Sequence, residues 1–334
     1  MFSNFRNSFY LKILFVIISI TYSKNLSSQT SRQVDELGMI PIFTYHKITS
    51  KDNLMNRKPS SLLKDLDYLR NNKYYLLTVE ELYKGYINAP LGYIPAVLSF
   101  DDSHISQFKY LSSNKIDPNS AIGILEDYKK KYPTFRITAI FFVTPCQRGQ
   151  NELFGQKQWI NKKLSFLLEN SYEIGNHSCS HPNYQTTSIE RIQSDLNLSQ
   201  TKINTYLPNF QYTSLATPYG SYPKRKLWPL LAKSSSKKHS YRHKLIFSYS
   251  NRLSLSPFAK NYNLFRVSRL HGFEEALQSY RQKVSSGEWK PFISDGNPNL
   301  VTIPKSRKDE LKIRSNKNLI LAPNSKDYYP WKLY

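Results

Sequence analysis

A chain of 334 residues is long enough for one large domain of about 250 residues with appendages, or for two smaller domains, so a sizeable core is available. Its formal charge of +23 implies attraction to polyanions, whether nucleic acid, acidic lipid surfaces or anionic cell-wall polymers. Two cysteines, Cys146 and Cys179, allow one bridge but exclude a disulfide framework, and 11 glycines with no Gly-rich phosphate loop argue against nucleotide binding.

The first residues, "MFSNFRNSFYLKILFVIISITYS", place Arg6 and Lys12 ahead of the apolar run "ILFVIISI". That run is shorter than the roughly 20 residues a membrane span needs. Residues 1–30 therefore read as a secretory signal peptide or an uncleaved N-terminal anchor, with Thr21, Tyr22 and Ser23 as the small-x-small trio. The remainder is expected outside the cytoplasm, as a periplasmic, secreted or anchored protein. There disulfides are allowed and nucleic acid is the least expected partner.

From residue 41 short apolar runs alternate with helix-like stretches. "PIFTY" (41–45), "AVLSF" (96–100), "ITAIFFV" (137–143), "TSLATP" (213–218), "LIFSY" (245–249) and "LFRV" (264–267) predict strands buried on both faces. In 156–170, Ile160, Leu164, Leu167 and Leu168 share a helical stripe. Thr78 with Glu81, and Thr187 with Glu190, fit the capping box that opens a helix. This alternation predicts a parallel α/β sheet, open or closed into a barrel. The segment 224–244, with eight Lys or Arg and no acid, reads as a solvated loop, and the polar tail after 285 as an irregular basic extension, 286–334. These basic segments are candidates for contact with anionic envelope polymers or a membrane surface.

In parallel α/β folds functional residues gather at the carboxyl ends of strands. "AVLSF" runs straight into Asp101 and Asp102. Adjacent carboxylates are costly to hold together unless a cation or a shared proton relieves the repulsion; a helix N-cap cluster is the bland alternative. "EIGNHSCSH" sets His177 and His181 four apart, a spacing that one helical turn would bring to the same side, as a zinc site requires, and that a surface turn would also produce. "TSLATP" ends at Pro218, Tyr219 and Gly220, a turn suited to aiming backbone N–H groups inward.

Taken together and in this order, the three signals resemble the polysaccharide deacetylases with the NodB-homology domain. The first motif of that family ends Phe-Asp-Asp, the second is His-Ser/Thr-x-x-His and the third contains Pro-Tyr; here they stand as "LSFDD", "HSCSH" and "TPYG". "PIFTYHKI", "AIFFV" and the flanks in "EIGNHSCSHP" extend the resemblance over residues 40–285. It implies a distorted (β/α) barrel and metal-dependent removal of N- or O-acetyl groups from an acetylated glycan. By position, Asp101 would be the general base, Asp102, His177 and His181 the ligands of Zn²⁺ or another divalent transition metal, and the Tyr219 N–H an oxyanion donor. Such a metal polarises the acetyl carbonyl, a carboxylate takes the proton of the attacking water, and an N–H stabilises the oxyanion.

The sequence also departs from the pattern. Many members have Arg where this chain has Ala216, which predicts a less firmly placed Asp101. Ser103 replaces the usual Gly and Ile140 the usual Thr. The family's Leu-x-His, source of the general acid, is matched only by His271 in "SRLHG", at an altered spacing. Arg266 resembles a common late Arg, His46 ends the first strand and borders the expected site, and Cys179 reads as a small space-filling residue. The leading expectation is an exported deacetylase; the alternative is a catalytically impaired, carbohydrate-binding pseudoenzyme with the same barrel.

Overall fold

The computed structural model describes residues 33–234, 241–313 and 317–322. The signal or anchor assigned to residues 1–30 lies outside the described residues, as do 235–240 of the Lys-rich stretch and 323–334 of the tail. From Val34 the described chain forms one unit.

Its frame is an eight-stranded sheet. The strands are β1 (Ile42–Tyr45), β2 (Tyr74–Leu76), β3 (Ile94–Asp101), β4 (Ile140–Val143), β5 (Glu173–Asn176), β6 (Ser214–Ala216), β7 (Leu245–Phe247) and β8 (Leu270–His271). The order is β7-β6-β5-β4-β3-β1-β8, with β2 on the first half of β3, and every pairing is parallel. Parallel neighbours need crossovers. Several are helical: α1 (Pro59–Asn71) leads into β2, α2 (Val79–Lys84) into β3, α3 (Ala121–Lys131) into β4, α4 (Ile160–Glu169) into β5 and α5 (Ile189–Asn204) into β6, while α6 (Glu274–Ser285) follows β8. The result is a curled parallel half-barrel, the α/β architecture expected from the sequence.

Burial on both faces follows from alternation along each strand. Phe43, Leu98, Phe100 and Phe141 pack against Leu62, Leu66 and Leu164 of the surrounding helices. Their neighbours Ile42, Val97, Ile140 and Phe142 meet Ala216, Phe247 and Val267 on the other face. Each such side chain contributes about 1.5–3 kcal/mol.

Several expectations need correction. "LFRV" is not a full strand: Val267 makes an isolated parallel bridge to Phe247, and the backbone exchanges bonds between Val267, Ile246 and Ser248. This segment then passes into β8 beside β1, so 264–271 spans the gap between the two sheet edges. The second capping box does not form: the N-cap is Ser188, not Thr187, and its hydroxyl accepts from the Arg191 N–H without a reciprocal side chain. The Thr78–Glu81 box forms as read. After residue 285 the chain is not irregular throughout: β9 (Leu300–Pro304) pairs with β10 (Asn318–Ala322), and Val301 and Ile303 are buried in the inner core.

Candidate metal centre

β3 delivers the two carboxylates. Its hydrogen-bonded run ends at Asp101, after which Asp102 (φ 75°) and Ser103 (φ 44°) both adopt left-handed backbone. A non-glycine residue there costs free energy that its surroundings must offset. This explains why glycine would be the ordinary residue at 103. Ser103 holds the conformation through its hydroxyl, which lies 3.2 Å from Thr144 Oγ1, donates to the Asn151 carbonyl at 3.1 Å and accepts from the Thr144 N–H. The turn divides the carboxylates: Asp101 is fully buried and Asp102 faces the cleft.

β5 delivers the histidines, but the 177–181 segment is a loop, not the helical turn considered from the spacing. Ser178 (φ 67°) and His181 (φ 58°) are left-handed. The loop is tied down by Asp195 of α5, whose carboxylate accepts from the N–H groups of Cys179 at 2.8 Å and Ser180 at 3.0 Å and from the Ser180 hydroxyl. His177 Nδ1 bonds the Ala216 carbonyl at 2.8 Å, which leaves its Nε2 facing Asp102.

Asp102 Oδ1 lies 3.4 Å from Nε2 of both histidines. One donor atom from each of Asp102, His177 and His181 falls within 4.8 Å of the others. Two imidazoles and a carboxylate converging in this way fit a divalent transition metal with an open position for water. Burial and the charge of His177 push His181 down to about 4, so its ring is neutral and free to ligate. Burial alone would raise Asp102, but the hydrogen bond and charge of His177 outweigh it and hold the carboxyl well below its usual range.

The sequence reading missed the partner of Asp101. Arg269, fully buried immediately before β8, grips it with two bonds, Nη1 to Oδ1 at 2.7 Å and Nη2 to Oδ2 at 2.8 Å. Its Nε donates to the Ser248 carbonyl at 3.0 Å, and its guanidinium lies over the Phe142 ring. Burial would raise Asp101, yet Arg269 and then His177 bring it below the ordinary carboxylate value, so it is ionised. The expectation that Ala216 leaves the carboxylate loosely placed is therefore corrected: the cation comes from the far edge of the sheet. Arg266 is not at the site and stacks on Tyr222 and Trp228 instead. Parity carries the signal that was available, since Arg269 lies two residues beyond the inward-facing Val267 and so shares its face, whereas Arg266 does not.

Around the centre, Tyr219 (φ 58°) is 68% exposed and sets its ring edge-on to His181, centroids 4.5 Å apart. Gly220 is obligatory, because a Cβ there would lie 2.7 Å from the Tyr249 nitrogen. Tyr249 stands between two imidazoles: His271 stacks on it at 3.7 Å and His46 meets it edge-on at 5.5 Å. Burial lowers His46, opposed by the charges of Asp101 and Asp102, while burial and His46 lower His271 to about 4. The Gln107 amide donates to the backbone carbonyls of both His46 and Asp101, locking together the ends of β1 and β3. Cys179 is not a mere space-filler but is bridged to Cys146. A cleft of about 270 Å³, lined by Asp102, Thr144, Gln147, Asn151, Ser180, His181 and Tyr219, opens onto the ligand cluster.

Residues 94–234 match the family model described as polysaccharide deacetylase. Among solved structures, a deacetylase of Streptococcus pyogenes, PplD, in complex with acetate is 20% identical (TM-score 0.53), the match covering 72% of this chain and 97% of that one. IcaB of Ammonifex degensii is 14% identical (TM-score 0.53; 75% and 98% covered). BC0361, a polysaccharide deacetylase from Bacillus cereus, is 16% identical (TM-score 0.51; 72% and 68% covered). At these identities the likeness is one of fold. No curated protein matches the sequence.

Proposed function

We propose, from the premise that the chain is a polysaccharide deacetylase family member through residues 94–234, that it is an extracytoplasmic, metal-dependent hydrolase. Its substrate is an N- or O-acetylated glycan of the envelope or the extracellular matrix. The observation that carries this reading is the convergence of Asp102, His177 and His181 beside a buried carboxylate already paired with a cation. A metal held by these three residues, Zn²⁺ by its preference for imidazole and carboxylate, would polarise the acetyl carbonyl and acidify the attacking water.

The chain's own residues supply the rest. Asp101, ionised and fixed by both guanidinium nitrogens, accepts the proton from the attacking water. The Tyr219 N–H, carried by a turn next to His181, stabilises the oxyanion, and its exposed ring gives a sugar a flat apolar face. The leaving group takes its proton from one of the imidazoles flanking Tyr249. The candidates are His271, implied by the resemblance and stacked on Tyr249, and His46, edge-on to the same ring; burial lowers both in the free protein, so the donor gains its proton only in the substrate complex. His46→Ala and His271→Ala separate them, since loss of the donor lowers turnover by about a hundredfold or more.

The pseudoenzyme alternative drew on Ala216 and on the missing Leu-x-His; Arg269 answers the first, and the His46 and His271 variants test the second. Export is supported by the basic and apolar start of the sequence and by the Cys146–Cys179 bridge, a bond that persists in oxidising compartments. The test is acetate release from acetylated chitooligosaccharide, peptidoglycan and xylan, before and after chelation. Chelator-sensitive release from any of them supports the reading, and its absence from all of them, with metal bound, refutes it.

A further inference from the structure

His177 and His181 are not secured alike. The His177 ring is bonded to the Ala216 carbonyl, and the backbone N–H of the same residue donates to the Val143 carbonyl at 2.9 Å. His181 has no comparable ring hydrogen bond among the described residues; besides Asp102, its ring lies edge-to-face against those of His177 and Tyr219. Its aim therefore depends on the backbone of the loop that carries it. That loop holds two left-handed non-glycine residues, Ser178 and His181, a conformation that persists only under restraint from outside.

The one covalent restraint is Cys146–Cys179, with Cα atoms 4.8 Å apart and a sequence separation of 33. Cys179 is buried between the two histidines in sequence. Cys146 follows β4 by three residues and adjoins Gln147 of the cleft wall. We propose that this bridge is a positioning device: it clamps the His177–His181 loop to the loop after β4 so that His181 is presented to the metal, and it couples the metal ligands to the wall that the glycan touches. The inference rests on the reading of Asp102, His177 and His181 as metal ligands.

The test is Zn²⁺ affinity, measured by competition with a chromophoric chelator, in the wild type and in C146A/C179A, with the visible spectrum of the Co²⁺ forms reporting the coordination geometry. The expected result is about tenfold to a hundredfold weaker Zn²⁺ binding, the usual scale for losing a group that orients a ligand, and an altered Co²⁺ spectrum in a variant that keeps its circular dichroism. A Leu62→Ala variant, destabilised far from the site, should keep both. Unchanged affinity and spectrum in C146A/C179A overturn the proposal while leaving the metal site standing. No Zn²⁺ binding by the oxidised wild type would instead remove the metal reading and the clamp with it. If the double variant does not fold, the same competition on wild type whose bridge has been opened by a phosphine decides in its place.

Discussion

Asp101 is a buried carboxylate whose protonation and position are governed by one residue that composition and motif did not point to. Removing Arg269 would leave that charge unpaired in the interior, a change that costs about 3–5 kcal/mol. Arg269→Met is accordingly expected to lower stability by that amount in denaturant titration and to reduce acetate release, with Arg269→Lys recovering only part because the two-pronged grip is lost. Ala216→Arg should bring no gain. Ala216 is fully buried within the inner core beside Ile140 and Phe142, so a guanidinium there overpacks the site, and melting temperature should fall without faster turnover. The motif residues were legible because each stands at the end of an apolar strand. Arg269 was not, because its segment is split between an isolated bridge and a strand of two residues, too short for a periodic signal.

At the level of elements, caps and turns decide where the site loops begin. Ser188 caps α5, the helix that supplies Asp195 to the histidine loop. Ser188→Ala should cost about 1 kcal/mol and Thr187→Ala much less, as thermal unfolding will show. The sequence reading named Thr187 from its spacing to Glu190, and the backbone instead places the cap one residue on. A second case is the run Leu153–Gln156, four consecutive residues at positive φ, held by the buried Lys163 amine, which donates to the Phe154 and Gly155 carbonyls. Burial lowers that amine to about 7. In the unfolded chain it titrates near 10.4, so between these values the unfolded state holds more protons and stability rises with pH, by at most about 1.4 kcal/mol per unit. Lys163→Met should flatten that rise between about pH 7 and about pH 9, below the range where tyrosines titrate. An equal slope in variant and wild type would mean that the amine is not depressed.

Over the whole molecule, the fold was legible where strands are long and apolar. Ile94–Asp101 is buried along its whole length and was read to within two residues of its start, whereas β2, β8 and the β9–β10 pair are short or lie in polar surroundings. The i, i+4 histidines were legible as a pair but not as a loop, because the restraints on that loop come from Asp195 and Cys146, distant in sequence. In the proposed function the two adjacent carboxylates do different work, Asp102 in ligation and Asp101 as the base. The most direct measurement is bound metal and acetate release, taken together on Asp101→Asn and Asp102→Asn. Asp102→Asn should lose metal and turnover together. Asp101→Asn should keep its metal while turnover falls by about a hundredfold or more. Equal metal loss in both variants, or metal retained in both, would contradict the division of roles, and full activity in both would contradict the site itself.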